Sequence, residues 1–188
     1  MRSVVFLSVV AAICATTVLS EASAAEPLQS GLQPGEKITA IFEPLNVTGE
    51  FAGQPHCLVC ENGASPVAMV FARDATEPAL KLAAQLDKAV ARHKDHSLGS
   101  FVVFLCEEEG LDKRLADAAR RNELKHVVLA IDPPAGPDGF KVAKEAAVTV
   151  VLYRDFDVKA NHAFRPGELT EQRIEQIVAD IRKIVPAK

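Results

Sequence analysis

The sequence predicts a single α/β domain built on a mixed β-sheet, with helices on both faces. Four short apolar runs have the length of strands. They are continuously apolar rather than alternating, which is typical of strands that are covered on both faces. The segments between the first three runs carry apolar residues at helical spacing, and the fourth run is followed by a tight turn and a further strand. The predicted runs are residues 67–73, 100–106, 127–131 and 148–154.

Three segments, residues 77–93, 111–124 and 171–185, are predicted to be helices. Their apolar residues recur every three or four positions, so each segment has an apolar stripe that can face the sheet. Thr76 and Thr170 stand directly before the first and third segments, where a hydroxyl can accept a hydrogen bond from a free backbone N–H. The stripes contain Leu82, Leu86 and Ala89 in the first helix, Leu111, Leu115 and Ala118 in the second, and Ile174, Ile177, Val178, Ile181 and Val185 in the third.

The remaining segments complete the expected order of elements. Residues 148–164 have the pattern of two strands around an Asp-Phe-Asp turn, which predicts an antiparallel hairpin. Residues 133–139 hold three prolines and two glycines, which exclude a regular helix there. Residues 36–49 alternate weakly in polarity and end in a Thr-Gly turn, so they predict a short N-terminal β-ribbon. The order is then ribbon, β-α-β-α-β, irregular segment, β-β and α.

The N-terminus has the layout of a secretory signal peptide. Arg2 provides a positive charge, residues 3–20 are uncharged and apolar, and residues 22–24 supply the small side chains that a signal peptidase requires. A membrane span is the competing interpretation. The apolar run is short for a span, however, and the acidic Glu21 follows it.

Cleavage of this signal divides the chain into three predicted parts. Residues 1–24 are the signal peptide, and Cys14 leaves with it. Residues 25–35 are a flexible lead-in, and residues 36–188 are the α/β domain. We therefore expect an exported protein, located in the periplasm or outside the cell, with no membrane span after cleavage.

The composition argues against several classes of function. The net charge is −4, and no basic block is present that would bind nucleic acid or anionic lipid. The chain has no tryptophan and one tyrosine, so an aromatic platform for stacking bases is missing. No phosphate-binding loop occurs, and Asn46-Val47-Thr48 fits an N-glycosylation sequon. We predict no nucleic-acid partner and no cofactor.

Three cysteines, Cys57, Cys60 and Cys106, belong to the predicted mature chain. An odd number outside the cytoplasm suggests one disulfide and one leftover thiol. Cys57 and Cys60 form a Cys-x-x-Cys pair directly after His56, a spacing that indicates a redox dithiol or half of a metal site. Cys106 ends an apolar strand and precedes three glutamates, which disfavour its thiolate, so we expect a small core residue.

The β-α-β half followed by a hairpin and a final helix resembles the thioredoxin-like fold. The added ribbon and strand resemble the redoxin branch, which includes peroxiredoxins and exported thiol-disulfide oxidoreductases. The fragments "PLNVTG", "HCLVC", "PVAMVFAR" and "VTVVLY" are similar to a family of uncharacterised exported bacterial proteins with this fold. The resemblance covers residues 36–185 and implies the fold and a protein thiol or disulfide as partner, with no established activity.

Two catalytic features of that fold are missing from their usual positions. Redoxin enzymes carry the reactive cysteine after the first core strand, where the start of a helix lowers the thiol pKa. Residues 73–78 occupy that corner here and contain no cysteine. The resemblance also implies a cis-proline before the final hairpin, but residues 146–149 contain none.

The cysteine pair lies before the first core strand instead. Residues 56–60 can form a strand of a hairpin that turns at Asn62-Gly63, and a regular strand would point Cys57 and Cys60 to opposite faces. The two can then bond only if the segment curls.

Three interpretations of the pair stay open. In the leading one, a thiol-disulfide exchange site, Cys57 is the more exposed, attacking thiol, Cys60 resolves, and His56 stabilises the thiolate. In the second, the disulfide only locks a loop of a non-enzymatic binding or structural module. The third is a metal site completed by His162, a distant alternative because structural zinc requires four ligands.

Overall fold

The computed structural model describes residues 27–185. Within these residues the chain forms six strands, four helices and two 3₁₀ turns. The strands are Leu45–Asn46 (β1), Val67–Ala72 (β2), Gly99–Leu105 (β3), Val128–Asp132 (β4), Val148–Arg154 (β5) and Asp157–Phe164 (β6). The helices are Leu58–Asn62 (α1), Glu77–Arg92 (α2), Leu111–Arg121 (α3) and Glu171–Asp180 (α4), and the 3₁₀ turns are Lys94–His96 and Ile181–Lys183.

The strands form one mixed sheet in the order β1-β4-β3-β2-β5-β6. Strands β2, β3 and β4 run parallel, because α2 and α3 carry the chain back between them. Strand β5 is antiparallel to β2 and pairs with β6, while β1 is antiparallel to β4. The predicted mixed sheet is confirmed.

Alternate residues of β2 divide the core into two layers. Ala68, Val70 and Ala72 belong to the apolar cluster formed with α2, α3 and α4, which we call the helical layer. Val67 and Phe71 belong to a second cluster with α1 and the segments around residues 32–42 and 140. Helices therefore lie on both faces, as predicted, with the three long ones on the same face.

The predicted helix starts are confirmed. Thr76 precedes α2, and its hydroxyl accepts a hydrogen bond from Ala79 N–H at 3.4 Å. Thr170 does the same for Arg173 N–H at the start of α4. Each cap satisfies a backbone donor that a helix leaves free at its first turn. The inward stripe of α2 is buried, and each leucine in it contributes about 2 kcal/mol by leaving water.

The predicted hairpin is also confirmed. Asp155 and Phe156 form a two-residue turn between β5 and β6, and both have left-handed backbone angles, with φ of 55° and 62°. Such a turn matches the twist of the flanking strands. The final strand pair is thus set by local turn chemistry.

The predicted N-terminal ribbon is only partly formed. Within residues 36–49, β1 pairs with β4 at one edge of the sheet. Lys37 makes an isolated bridge to Asp157 of β6, the strand at the opposite edge. The segment does not pair with itself. Ile38 and Pro44 are buried while the residues on either side of each are exposed, and Asn46 is buried next to exposed Leu45. An extended chain lying across one face of a sheet produces the same alternation as a ribbon strand.

Residues 27–35 belong to the predicted flexible lead-in, but the structure shows them in contact with the sheet. Ser30 and Thr149 share a hydroxyl hydrogen bond of 2.6 Å, and the Asn161 amide donates to the Ser30 and Leu32 carbonyls. Gly31 has φ of 80°, and a Cβ there would lie 2.7 Å from the Thr149 methyl. This segment is packed against the sheet, so the domain begins before residue 36. The predicted signal peptide, residues 1–24, lies outside the described residues.

None of the helices within residues 27–185 combines the length and apolar character that crossing a membrane requires.

Candidate functional site

Cys57 and Cys60 are joined in a disulfide, with Cα atoms 5.3 Å apart. The strand considered for residues 56–60 does not form, because the pair lies at the start of helix α1. Cys57 is the residue before the helix, and the Cys60 N–H donates to its Sγ at 3.1 Å. One helical turn brings residues three apart to the same side of the chain, and this supplies the curl that a disulfide requires. Gly63 ends the helix rather than forming a hairpin turn.

The burial of Leu58 and Val59 explains why a helix forms here. Both side chains are 1% exposed and belong to the second apolar cluster, together with Phe71 of β2. Adjacent apolar residues pointing into one core layer are incompatible with the alternating faces of a strand. They are compatible with a short helix that lies against the sheet and leads directly into β2.

The two cysteines differ in exposure, opposite to the prediction. Cys57 is 7% exposed and lies among the buried apolar residues, whereas Cys60 is exposed. The expectation that Cys57 is the more accessible sulfur is therefore wrong. Its physical cause is the helix register, since Cys57 is drawn inward with Leu58 while Cys60 emerges on the solvent side.

His56 is held by two neighbours other than the sulfurs. Its ring stacks on Phe51 with centroids 3.5 Å apart, and its Nε2 lies 3.3 Å from Oε2 of Glu61 without the alignment of a hydrogen bond. The role of His56 as thiolate stabiliser stays a prediction.

His162, the ligand considered for a metal site, does not approach the cysteine pair. It lies on β6, and its Nε2 is 3.1 Å from Oδ2 of Asp180 on α4, in contact with the helical layer. Cys57 belongs to the cluster on the other face of the sheet. Within residues 27–185, no group of three histidine, cysteine or acidic side chains is arranged to hold a metal ion.

The corner at the start of α2 has a structural role. The backbone N–H of Arg73 donates to the Ala147 carbonyl, and its guanidinium donates to the carbonyls of Pro134 and Ala143. These bonds fasten the irregular segment before β5 to the end of β2. Ala147 leads into the hairpin without proline, and the described residues contain no cis peptide bond.

Cys106 lies beside this corner, and the sequence did not predict that position. It is a free, half-buried cysteine just after β3, and it lines a cavity of about 370 Å³ with Thr76, Arg114 and Arg121. The expectation of a core residue is thus only partly met. The signal that could have found it is the parallel pairing of β2 with β3, which places the residues following both strands at one edge.

The sequon at Asn46 is part of the folded core. Asn46 is 1% exposed, and the Thr48 hydroxyl accepts a hydrogen bond from the Leu129 N–H at 2.8 Å. Modification of the Asn46 side chain would require this edge of the sheet to open.

No protein-family model and no curated protein matches this sequence. Solved structures with a similar fold include a protein from Bacteroides thetaiotaomicron named as a candidate disulfide isomerase, at 15% identity and a TM-score of 0.62, covering 84% of this chain and 94% of that one. The peroxidoxin BcpB from Mycobacterium tuberculosis is similar at 16% identity and a TM-score of 0.59, with 82% and 99% covered. A secreted disulfide oxidoreductase from the same organism is similar at 11% identity and a TM-score of 0.50, with 74% and 94% covered.

These similarities establish a thioredoxin-like fold for this chain. At such low identity they establish the fold alone.

Proposed function

We propose that this protein is an exported thioredoxin-fold protein that exchanges disulfides with a protein partner through Cys57 and Cys60. The observation that carries the proposal is a disulfide with one exposed cysteine, Cys60, held on a helix that is anchored to the sheet. The exchange site is displaced from the usual corner of the fold to the segment before the first core strand.

The short spacing of the pair supports exchange over a purely structural role. The cysteines are three positions apart, so in the chain-entropy model the loop they close contributes only about 2 kcal/mol of stability. Loops of about 100 residues gain about 4.7 kcal/mol in the same model. A disulfide that closes so short a loop adds little stability, and this weakens the interpretation that its role is only structural.

Two similar structures bear names that fit the proposal, the candidate disulfide isomerase and the secreted disulfide oxidoreductase. The N-terminal sequence, with its charge, apolar run and small residues, supports export. A protein partner supplies the second pair of sulfurs, and reduction of one pair is balanced by oxidation of the other. The exchange itself requires only these sulfur atoms.

The second candidate is a non-enzymatic binding or structural module whose disulfide only locks α1. The burial of Leu58 and Val59 between the two cysteines favours it, since a bridge there fixes a helix that already contributes to the core. In that case Cys57→Ser would lower the free energy of unfolding by about 1–3 kcal/mol and remove no activity.

Reduction of insulin by a dithiol, catalysed by this protein, separates the two candidates. We expect Cys57→Ser and Cys60→Ser each to abolish catalysis, because exchange requires both sulfurs. Cys106→Ser is the matched control and should keep the rate within about twofold, since Cys106 is outside the pair. Equal rates of insulin reduction for the parent and the three variants would support the non-enzymatic module instead. A parent rate no higher than background would support it as well.

A further inference from the structure

We propose that Cys60 is the sulfur through which partners enter and that Cys57 is the leaving and resolving sulfur. The inference rests on the proposed exchange function and reverses the order expected from the sequence. Two independent observations support this assignment. The first is the accessibility of the two cysteines, and the second is the hydrogen bond at Cys57.

Accessibility selects Cys60 for attack. A thiolate must approach one sulfur of a disulfide directly, so access to that sulfur affects the rate of exchange. Cys57 is 7% exposed and surrounded by the apolar cluster that includes Leu58 and Val59. Cys60 is exposed at the end of the same helical turn. A partner protein therefore reaches Cys60 without any rearrangement of the core.

The hydrogen bond selects Cys57 as the leaving sulfur. The Cys60 N–H already points at Cys57 Sγ at 3.1 Å in the disulfide. When the disulfide breaks at Cys60, negative charge develops on Cys57, and a hydrogen bond to a charged acceptor is stronger than one to a neutral acceptor. A stabilised thiolate is the better leaving group. The backbone N–H of Cys60 is thus placed to stabilise a thiolate on Cys57.

The exchange takes two steps. A thiolate of a partner dithiol attacks Cys60 Sγ, a bond forms between them, and the Cys57–Cys60 bond breaks with its electron pair on Cys57, which takes up a proton. The second partner thiol then loses its proton to solvent, and the resulting thiolate attacks the partner sulfur of this mixed disulfide and releases the Cys60 thiolate. The partner is oxidised to a disulfide and the pair is reduced, and the reverse sequence oxidises the pair.

Single-cysteine variants test the assignment with 5,5′-dithiobis(2-nitrobenzoate), a small coloured disulfide, as the probe. In a Cys106→Ser background, we expect Cys57→Ser, which keeps Cys60, to react at least about tenfold faster than Cys60→Ser, which keeps Cys57. In denaturant the two rates should converge, because the difference comes from the folded environment. A faster reaction of the variant that keeps Cys57 would overturn the assignment.

A second measurement avoids substitutions at the pair. The parent protein, reduced and then quenched briefly with substoichiometric iodoacetamide, should carry its first label on Cys60 within the peptide that contains both cysteines. A first label on Cys57 would overturn the assignment. Failure of the proposed function is distinguishable, because it would appear as absent insulin reduction by the parent whichever cysteine is labelled.

Discussion

At the scale of single residues, Cys57 and Cys60 were predictable as a pair but not in their relative exposure. Their spacing and the expected oxidising compartment indicate a disulfide. Which of the two is buried depends on how Leu58 and Val59 dock on the sheet, and no pattern within five residues specifies that docking. The sequence alone therefore predicted the wrong relative exposure for the two cysteines.

His162 gives a pH-dependent contribution to stability. Burial lowers its pKa from the ordinary value of 6.5, the Asp180 carboxylate opposes this shift, and Lys183 and Arg173 add to it. The unfolded chain then binds a proton more readily than the folded one. The contribution is present above the unfolded pKa and is lost as the pH falls through the lower folded pKa.

We expect the free energy of unfolding to fall between pH 7.5 and about pH 5, and His162→Gln to flatten part of that fall. Urea unfolding of both proteins at several pH values measures the effect. The comparison at pH 8, where both side chains are neutral, gives the baseline cost of the substitution. A difference between the two proteins that stays constant down to pH 5 would contradict this account.

At the scale of elements, the hairpin and the long helices were predictable because their signals are local. Thr76 and Thr170 mark helix starts, and the Asp-Phe-Asp turn fixes the β5–β6 pair. Helix α1 was not predictable, because its five residues are too few to show helical periodicity. Its apolar residues have the composition of a strand.

The start of α2 should be structural and catalytically silent. Thr76→Ala removes the hydroxyl that accepts from Ala79 N–H and should lower the free energy of unfolding by about 1 kcal/mol. Insulin reduction should stay within about twofold of the parent, since no nucleophile is lost. Thr170→Ala, which removes the equivalent cap of α4, is the matched control for a stability effect alone.

Loss of catalysis in Thr76→Ala but not in Thr170→Ala, with both proteins folded, would place the site at the usual corner of the fold. The cavity that contains Cys106 would then be the first place to search for the reacting group.

At the scale of the whole molecule, the order of elements was sufficient to predict the thioredoxin-like arrangement. Continuous apolar strands required a sheet covered on both faces, and the hairpin placed the last two strands side by side. Long-range neighbours were harder to predict. The packing of Ser30 on Thr149 and the approach of Cys106 to Thr76 follow from chain crossings that carry no local signal.

Two parts of the molecule, the corner at the start of α2 and helix α1, have different roles in this account. The corner that other members of the fold use for chemistry here fastens Arg73 to the segment before β5. The proposed exchange site lies instead on the short helix α1, whose buried residues connect it to β2. Exchange at Cys60 can therefore be altered without disturbing the sheet.

The reduction potential of the Cys57–Cys60 pair tests the central claim most directly. The measurement equilibrates the Cys106→Ser protein in glutathione or dithiothreitol redox buffers and counts the reduced fraction by alkylation and intact mass. An exchanging pair should have a potential between about −270 and −120 mV, the range of dithiol oxidoreductases. A potential below about −300 mV would contradict the account, because the disulfide would then resist reduction and serve only as a fastening.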